Sequence, residues 1–217
     1  MKTKSVKKLL TVTLATAMIL ASTMTAFASS GASAGTTDSS SSQEVQEIKS
    51  FAEENRQSEN ATIKVGGTAV KTSIGGVYAA KKVNGCAFKT DIDSVVKALG
   101  LTKGQKPYAV IYDTDAKKSN KAMDSVNAAV EALSGKLIAC LNVDLFAKQN
   151  GKVVTLSNGN VAMAVGLPKE ADTTKTYCAV CVQPGGVTTV LEDQDSDPTT
   201  VTFAVQAGLG TYAIVSK

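Results

Sequence analysis

Carboxylates at alternate positions form the most site-like pattern in this chain. Asp193, Asp195 and Asp197 occupy one short segment, and oxygen ligands spaced in this way can wrap around Ca²⁺. The segment is not an EF-hand loop, because counting from Asp193 places Pro198 and Ala204 where Gly and Glu are needed. The alternative is a solvated loop that connects two strands. We therefore keep Ca²⁺ open as a metal at these three residues and expect no other cofactor.

Carboxylates could also serve a hydrolase. A glycosidase-like reaction needs two of them facing each other across a pocket, about 5–9.5 Å apart. The chain contains no His, the side chain best suited to proton transfer near neutral pH. We therefore expect a protein that is not an enzyme and assign no catalytic residue. The alternative is a carboxylate-dependent hydrolase, for which the candidates are Asp113, Asp115, Asp193 and Asp195.

Two short motifs match catalytic patterns in their letters alone. Residues 31–35 read G-A-S-A-G, but a nucleophile elbow needs a strand-to-helix turn and a His base. Ser94 and Lys97 form S-x-x-K, without the S-D-N and K-T-G elements that accompany it in Ser–Lys acylases. Neither motif is interpreted as a catalytic site.

Four cysteines lie beyond the N-terminal segment, and their number leaves two states open. They are either buried free thiols, or one disulfide forms, for which Cys86 and Cys140 are the candidates. Cys178 and Cys181 form a C-x-x-C, yet they fall within a predicted strand, where residues three apart point to opposite faces. We therefore expect no disulfide or shared metal between these two.

The N-terminus has the pattern of an export signal. Four lysines precede the apolar residues 9–20, and Ala26-Phe27-Ala28 is a small-x-small cleavage site. Residues 1–28 are therefore predicted to be a signal peptide, the alternative being an uncleaved anchor. No later stretch approaches about 18 consecutive apolar residues, so no transmembrane segment is expected after cleavage. We expect a secreted, extracellular protein that can associate with the cell envelope.

The charge of the chain changes when the signal is removed. Residues 1–28 carry four of the 23 basic residues and no acidic ones, which leaves 23 − 4 = 19 basic against 19 acidic residues. A nucleic-acid binder would carry a basic excess. Arg56 is the only arginine, so bidentate recognition of phosphate is largely absent. We expect no nucleic acid as a partner, and an extracellular protein or a cell-wall polymer instead.

The chain changes character along its length. A Ser/Gly-rich stretch cannot bury enough apolar surface to become ordered, so it is predicted to be a flexible tether. The next segment has Val45, Ile48 and Phe51 at helical spacing. The remainder has strand patterns and forms one α+β domain or two subdomains. The predicted parts are the tether at 29–43, a short helix at 44–60, and the domain at 61–217 with possible subdomains 61–136 and 137–217.

Short apolar strands separated by Gly, Asn and Pro predict an α+β fold dominated by an antiparallel β-sandwich. One strand–helix–strand unit interrupts them, with strands at 107–112 and 137–146 and a helix that Ser119 or Asn120 caps. A shorter helix begins after Asp91 and ends at Gly100. Hairpin turns are predicted at Asn84-Gly85 and Asn150-Gly151.

The last third of the chain carries a resemblance. The residues concerned are Leu167-Pro168, the strand at 177–182 with Gly185-Gly186, the acidic segment 192–197, Val201-Thr202-Phe203 and the closing strand 210–215. This pattern resembles the Ig-like β-sandwich modules of secreted and surface proteins of Gram-positive bacteria. The resemblance implies an extracellular location and an Ig-like sandwich, and it implies no activity.

The sequence therefore favours an exported, non-catalytic extracellular or cell-envelope module with a binding or structural role. The alternatives are the hydrolase and a calcium-stabilised adhesion module. The first hypothesis predicts an exposed apolar patch or sheet edge at which a partner docks.

Overall fold

The computed structural model describes residues 62–217, and this part of the chain is mostly β. The predicted signal peptide, tether and N-terminal helix lie outside the described residues. The strands are β1 (Thr62–Val65), β2 (Thr68–Lys71), β3 (Gly75–Ala79), β4 (Cys86–Phe88), β5 (Lys106–Asp113), β6 (Lys136–Gln149), β7 (Lys152–Val154), β8 (Asn160–Gly166), β9 (Tyr177–Val182), β10 (Thr188–Glu192), β11 (Thr200–Gln206) and β12 (Gly208–Ser216). The two helices are α1 (Ile92–Ala98) and α2 (Asn120–Ala132).

A large sheet of seven strands organises the domain. Its order is β10-β9-β12-β6-β5-β3, with β7 paired to β6 beside this path. Every pairing in it is antiparallel except that between β3 and β5, which is parallel. Since β5 and β6 pair from Lys106↔Lys148 to Asp113↔Leu141, the sheet continues across residue 136, the boundary between the possible subdomains.

The strands β11, β8 and β4 form a second antiparallel sheet in that order, and β1 pairs with β2 in a separate hairpin. The second sheet and the large sheet contribute to one shared core. Met163 and Phe203 of the second sheet belong to the same buried cluster as Leu141 and Tyr212 of the large sheet. The rings of Phe203 and Tyr212 are stacked with their centroids 5.4 Å apart. Aromatic contact across this core joins the two sheets.

The opposite side of the large sheet, which we call the outer face, is partly covered by α2. Residues alternate along β6, so Leu141 points into the shared core while Cys140 lies on the outer face with Met123 and Val126 of α2. Val126 of this helix is buried in that cluster, and Leu133 just after the helix packs against it. Neither described helix is long and apolar enough to span a membrane.

The shorter helix α1 begins and ends where the sequence indicated. The Asp91 carboxylate accepts a hydrogen bond from the Ser94 amide at 2.9 Å, which satisfies a free N–H of the first turn. Val95 and Leu99 enter the shared core. The chain leaves the helix at Gly100, whose φ of 61° lies in the left-handed region that glycine tolerates.

One predicted hairpin is confirmed and the other is wrong. Asn150 and Gly151 both have positive φ and connect β6 to β7 as an antiparallel hairpin. The chain also bends at Asn84, and Gly85 has a positive φ, but β3 pairs with β5 whereas β4 pairs with β8. This bend therefore carries the chain from the large sheet to the second sheet. The turn residues fix local geometry, and partners distant in sequence decide the pairing.

Candidate functional site

The acidic loop, residues 193–199 between β10 and β11, contains the three predicted calcium ligands. Asp193 begins the loop, and its Oδ1 accepts hydrogen bonds from the Asp195 amide at 3.1 Å and from the Thr202 amide at 2.9 Å. The side chain thereby ties the loop to the strand that follows it. Asp193 is half-buried, and its burial raises the pKa of the carboxyl.

The Asp195 carboxylate is occupied on both oxygens. Its Oδ1 accepts from the Asp197 amide at 2.9 Å, and the Thr200 hydroxyl donates to both oxygens at 3.1–3.2 Å. The Thr202 hydroxyl donates to Oδ2, and the Lys89 ammonium lies 3.8 Å from the same oxygen. The Asp195 side chain therefore connects the loop to the start of β11.

Asp197 connects the loop to the β1–β2 hairpin. Its Oδ1 accepts from the amide and the hydroxyl of Thr199, at 2.8 and 2.7 Å. The amide of Gly66, at the turn of the hairpin, donates to Oδ2. This contact, followed by those from Thr199, holds the pKa of the Asp197 carboxyl below its ordinary value.

The three carboxylates thus bind amides and hydroxyls of their own surroundings. Within residues 62–217 there is no group of three or more His, Cys, Asp or Glu side chains arranged to hold a metal ion. The loop geometry is that of successive turns in which a carboxylate accepts from the backbone two residues ahead. Calcium binding at Asp193, Asp195 and Asp197 stays a prediction.

The other pair of candidate carboxylates lies at the end of β5 and just after it, and these carboxylates also accept hydrogen bonds from backbone amides. Asp113 accepts hydrogen bonds from the amides of Lys81 and Lys82 at 2.8 and 3.1 Å, which fixes the chain leaving β3. Asp115 accepts from the amides of Lys117 and Lys118 at 3.0 and 3.2 Å, and the contact with Lys118 is the main reason that its pKa is lowered. The two candidate pairs lie on different loops, and each carboxylate holds its own loop.

The cysteines are free thiols, and all four are buried. The disulfide candidates Cys86 and Cys140 are not joined, because Cys86 lies in the shared core and Cys140 on the outer face under α2. Burial raises the pKa of each of these two thiols to about 12, so they are protonated and unreactive at neutral pH. Cys178 and Cys181 point to opposite faces of β9, as the strand pattern predicted.

The strand β10 forms an exposed edge of the large sheet, and the sequence did not reveal its location. β10 is the last strand on its side of the large sheet, and among the described strands only β9 pairs with it. Val190 of this strand is 39 % exposed, and Val187 just before it is 59 % exposed. The edge position of β10 follows from the order of strands that are distant in sequence.

A polar row on the outer face was also missed. Asn142 of β6 donates from Nδ2 to the Tyr112 hydroxyl at 2.8 Å and accepts on Oδ1 from the Thr211 hydroxyl at 2.7 Å. Register places these residues directly opposite one another on β5, β6 and β12. Alternation along a single strand could have put Asn142 on this face, whereas its two partners depend on the register of three strands.

The acidic loop allows a matched test. We expect Asp193→Asn to change stability by no more than about 0.5 kcal/mol, on the stabilising side at neutral pH. The amide Oδ1 can keep both accepted hydrogen bonds, and a carboxylate that burial disfavours is removed. Burial raises the pKa of Asp193 in the folded state above its ordinary value of 3.8, so the wild-type chain loses stability as the pH rises above 3.8 and this carboxyl ionises. Below that pH the carboxyl is protonated in both states, and the advantage of the variant vanishes.

Asp195→Asn is the control for this substitution. With Oδ1 kept for the Asp197 amide, the new amide nitrogen would replace Oδ2, lose its attraction to the Lys89 ammonium and require the Thr200 and Thr202 hydroxyls to reorient, at a cost of about 1–3 kcal/mol. Melting temperatures from pH 3 to 7, in chelator and in added Ca²⁺, measure both effects. Equal losses for the two variants in chelator would contradict this account. A Ca²⁺-dependent rise in the melting temperature that Asp193→Asn abolishes would assign calcium to the loop.

The chain was compared with family models, with curated proteins and with solved structures, and none of the three comparisons gives a match.

Proposed function

We propose that this chain is an exported, non-catalytic module that binds a protein partner outside the cytoplasm by adding a strand to its sheet at β10. The observation that carries the proposal is the combination of a strand edge that no other strand within residues 62–217 pairs with and the exposed Val187 and Val190. Strand addition supplies affinity through main-chain hydrogen bonds and specificity through the side chains that flank them.

The form of β10 supports this role. Natural edge strands are usually protected by lysine, proline, a bulge or very short length. The sequence Thr-Thr-Val-Leu-Glu contains neither lysine nor proline, and its five residues pair with β9 without a bulge, from Thr188↔Val182 to Glu192↔Cys178. The outward row of N–H and C=O groups is therefore straight, and a second extended strand fits against it.

The location and the fold type belong to the same proposal. Support for export comes from the signal pattern of residues 1–28 and from the tether at 29–43, which would hold a module away from a surface. Support for an Ig-like sandwich comes from the core that the two sheets share. The parallel pair β3–β5 and the helix α2 are additions to such a sandwich.

The carboxylates favour binding over hydrolysis. Asp113, Asp115, Asp193 and Asp195 each accept hydrogen bonds from loop amides. A hydrolase would need two of them to face each other across a pocket. Their present contacts explain why these residues occur in this chain without any reaction.

The proposal is tested with a second copy of the chain as the probe. We expect the protein to self-associate through antiparallel pairing of two β10 edges, since an exposed edge accepts any compatible strand. Val190→Lys should weaken this association at least about tenfold, because an edge lysine blocks pairing. Sedimentation velocity over a concentration series measures the dissociation constant.

Ile92→Lys is the matched control, because Ile92 is 44 % exposed on α1 and lies away from the edge. It should leave the association unchanged. Equal association of the wild type and Val190→Lys would contradict strand addition at β10.

Incubation with purified peptidoglycan tests the two alternatives to a protein partner. Release of soluble sugars or peptides would favour the hydrolase. Co-sedimentation that does not depend on Val190 would favour a wall polymer as partner.

A further inference from the structure

The half of the outer face formed by β3, β5 and the far end of β6 is apolar and buried. Val77, Val110 and Phe146 cluster there and are at most 5 % exposed, with Tyr108 and Tyr112 packed against them. Among the described helices, α2 packs on the other half of this face and α1 enters the shared core. We call this region the β3–β5 face. An apolar sheet face of this kind is stable beneath another layer.

We propose that residues 44–57 of this same chain form an amphipathic helix that docks on the β3–β5 face as that layer. The inference concerns a different surface from β10 and does not depend on the binding role proposed above.

The apolar pattern of the segment fits this occupant. At 100° per residue, Val45, Ile48 and Ala52 fall within one narrow stripe, and Phe51 lies at its margin. Such a stripe is too narrow to stabilise an isolated helix of 14 residues in water. Packing against an apolar sheet would supply the missing stabilisation.

The proposed interface would bring a basic residue of the segment to the face that contains an acidic residue of the sheet. Arg56 follows Ile48 and Ala52 at intervals of four residues, so the only arginine of the chain lies on the apolar stripe. On the sheet, Asp144 lies opposite Val110 in the ladder and is 4 % exposed. The docked helix would bring the only arginine of the chain to the face on which Asp144 lies, so a basic and an acidic residue would meet at the proposed interface.

The rim of the β3–β5 face is basic, whereas the segment is acidic. Lys106 and Lys148 lie directly opposite each other on β5 and β6, and the Lys148 ammonium is 3.3 Å from the centroid of the Tyr108 ring. Like charges in this position repel each other unless an acidic group lies nearby. Within residues 44–57 four glutamates outnumber Lys49 and Arg56, which gives the segment the complementary charge.

The connection to β1 limits where the segment can lie. Thr62 begins β1 beside Gly85, in the turn that follows β3. Five peptide steps separate residue 57 from Thr62 and span about 17 Å at most, a distance that covers three to four strands of a sheet. A helix of 14 residues is about 21 Å long. The segment can therefore reach the β3 edge of the large sheet and extend along it.

Hydrogen exchange of the protein expressed from the full chain tests the docking. We expect amides of 44–57 to exchange at least about tenfold more slowly than those of 29–43. Ile48→Asp should remove this protection and also speed exchange at residues 106–113. Ser50→Asp, on the opposite side of the helix, should change neither. Equal exchange of 44–57 and 29–43 in the wild type, or equal effects of the two variants, would overturn the proposal.

A second comparison tests the placement of the arginine. Arg56→Gln should speed exchange within 44–57 at least about threefold, whereas Glu54→Gln, on the solvent side of the proposed helix, should leave it unchanged. Both variants alter one charge in a segment outside the β domain, so neither threatens the fold. If the two substitutions act alike, Arg56 does not face the sheet, and the proposed orientation is wrong.

Discussion

Replacing Gly76 with alanine is expected to destabilise the domain by roughly 3 kcal/mol. Gly76 lies opposite Ala109 in the parallel ladder of β3 and β5, and a Cβ atom at position 76 would lie 2.0 Å from the carbonyl oxygen of Ala109. The obstacle is backbone, so no side-chain rotation can relieve it. β3 would have to move away from β5, which breaks the parallel pairing at the edge of the large sheet.

The neighbouring glycine gives a matched control. A Cβ atom at Gly75 meets nothing within 4 Å, and its φ is not positive. Gly75→Ala should therefore leave stability unchanged or raise it by about 0.4–1 kcal/mol, because alanine restricts the unfolded chain. Urea denaturation of the two variants measures the difference. Similar midpoints for Gly76→Ala and Gly75→Ala would contradict the observed approach of β3 to β5.

Elements that depend on nearby residues were predictable from the sequence. Asp91 caps α1, and Gly100 ends it, because both effects act within one helical turn. Alternation along β9 predicted that Cys178 and Cys181 point to opposite faces of the sheet. In each case the determining contacts lie within a few residues.

The order of the strands was not predictable in the same way. The large sheet places β12 between β9 and β6, so the closing strand of the chain pairs with a strand that begins at Lys136. Hydrophobic alternation identifies a strand but carries no information about which neighbour it selects. The parallel pairing of β3 with β5, the misassigned turn at Asn84-Gly85 and the edge position of β10 all follow from this order.

In the candidate site, too, the local contacts were predictable from the sequence and the distant partners were not. The sequence identified Asp193, Asp195 and Asp197 as a carboxylate cluster, and the structure does bring them together in one loop. Their partners are partly remote, since Asp197 accepts from Gly66, which lies 131 positions earlier. Spacing alone could not distinguish ligands aimed at a cation from acceptors that tie a loop to a distant hairpin.

Phe203→Ala is expected to have a still larger effect than Gly76→Ala, with a loss of about 3–5 kcal/mol. Phe203 is fully buried in β11 and stacks on Tyr212 of β12, with 5.4 Å between ring centroids. Its removal would open a cavity between the two sheets. Domains of this kind are usually stable by only 5–15 kcal/mol, so the variant should unfold at a much lower urea concentration.

Two further substitutions separate the contribution of the core from that of its hydrogen bond. Tyr212→Phe keeps the ring but removes the hydroxyl that accepts from the Gln206 amide at 2.9 Å, and it should cost about 1–3 kcal/mol. Val187→Ala alters an exposed side chain and should change stability by less than about 0.5 kcal/mol. If Phe203→Ala cost no more than Val187→Ala, the two sheets would not depend on a shared core. The expected ranking, Phe203→Ala above Tyr212→Phe above Val187→Ala, follows because cavity formation between sheets outweighs one unpaired amide.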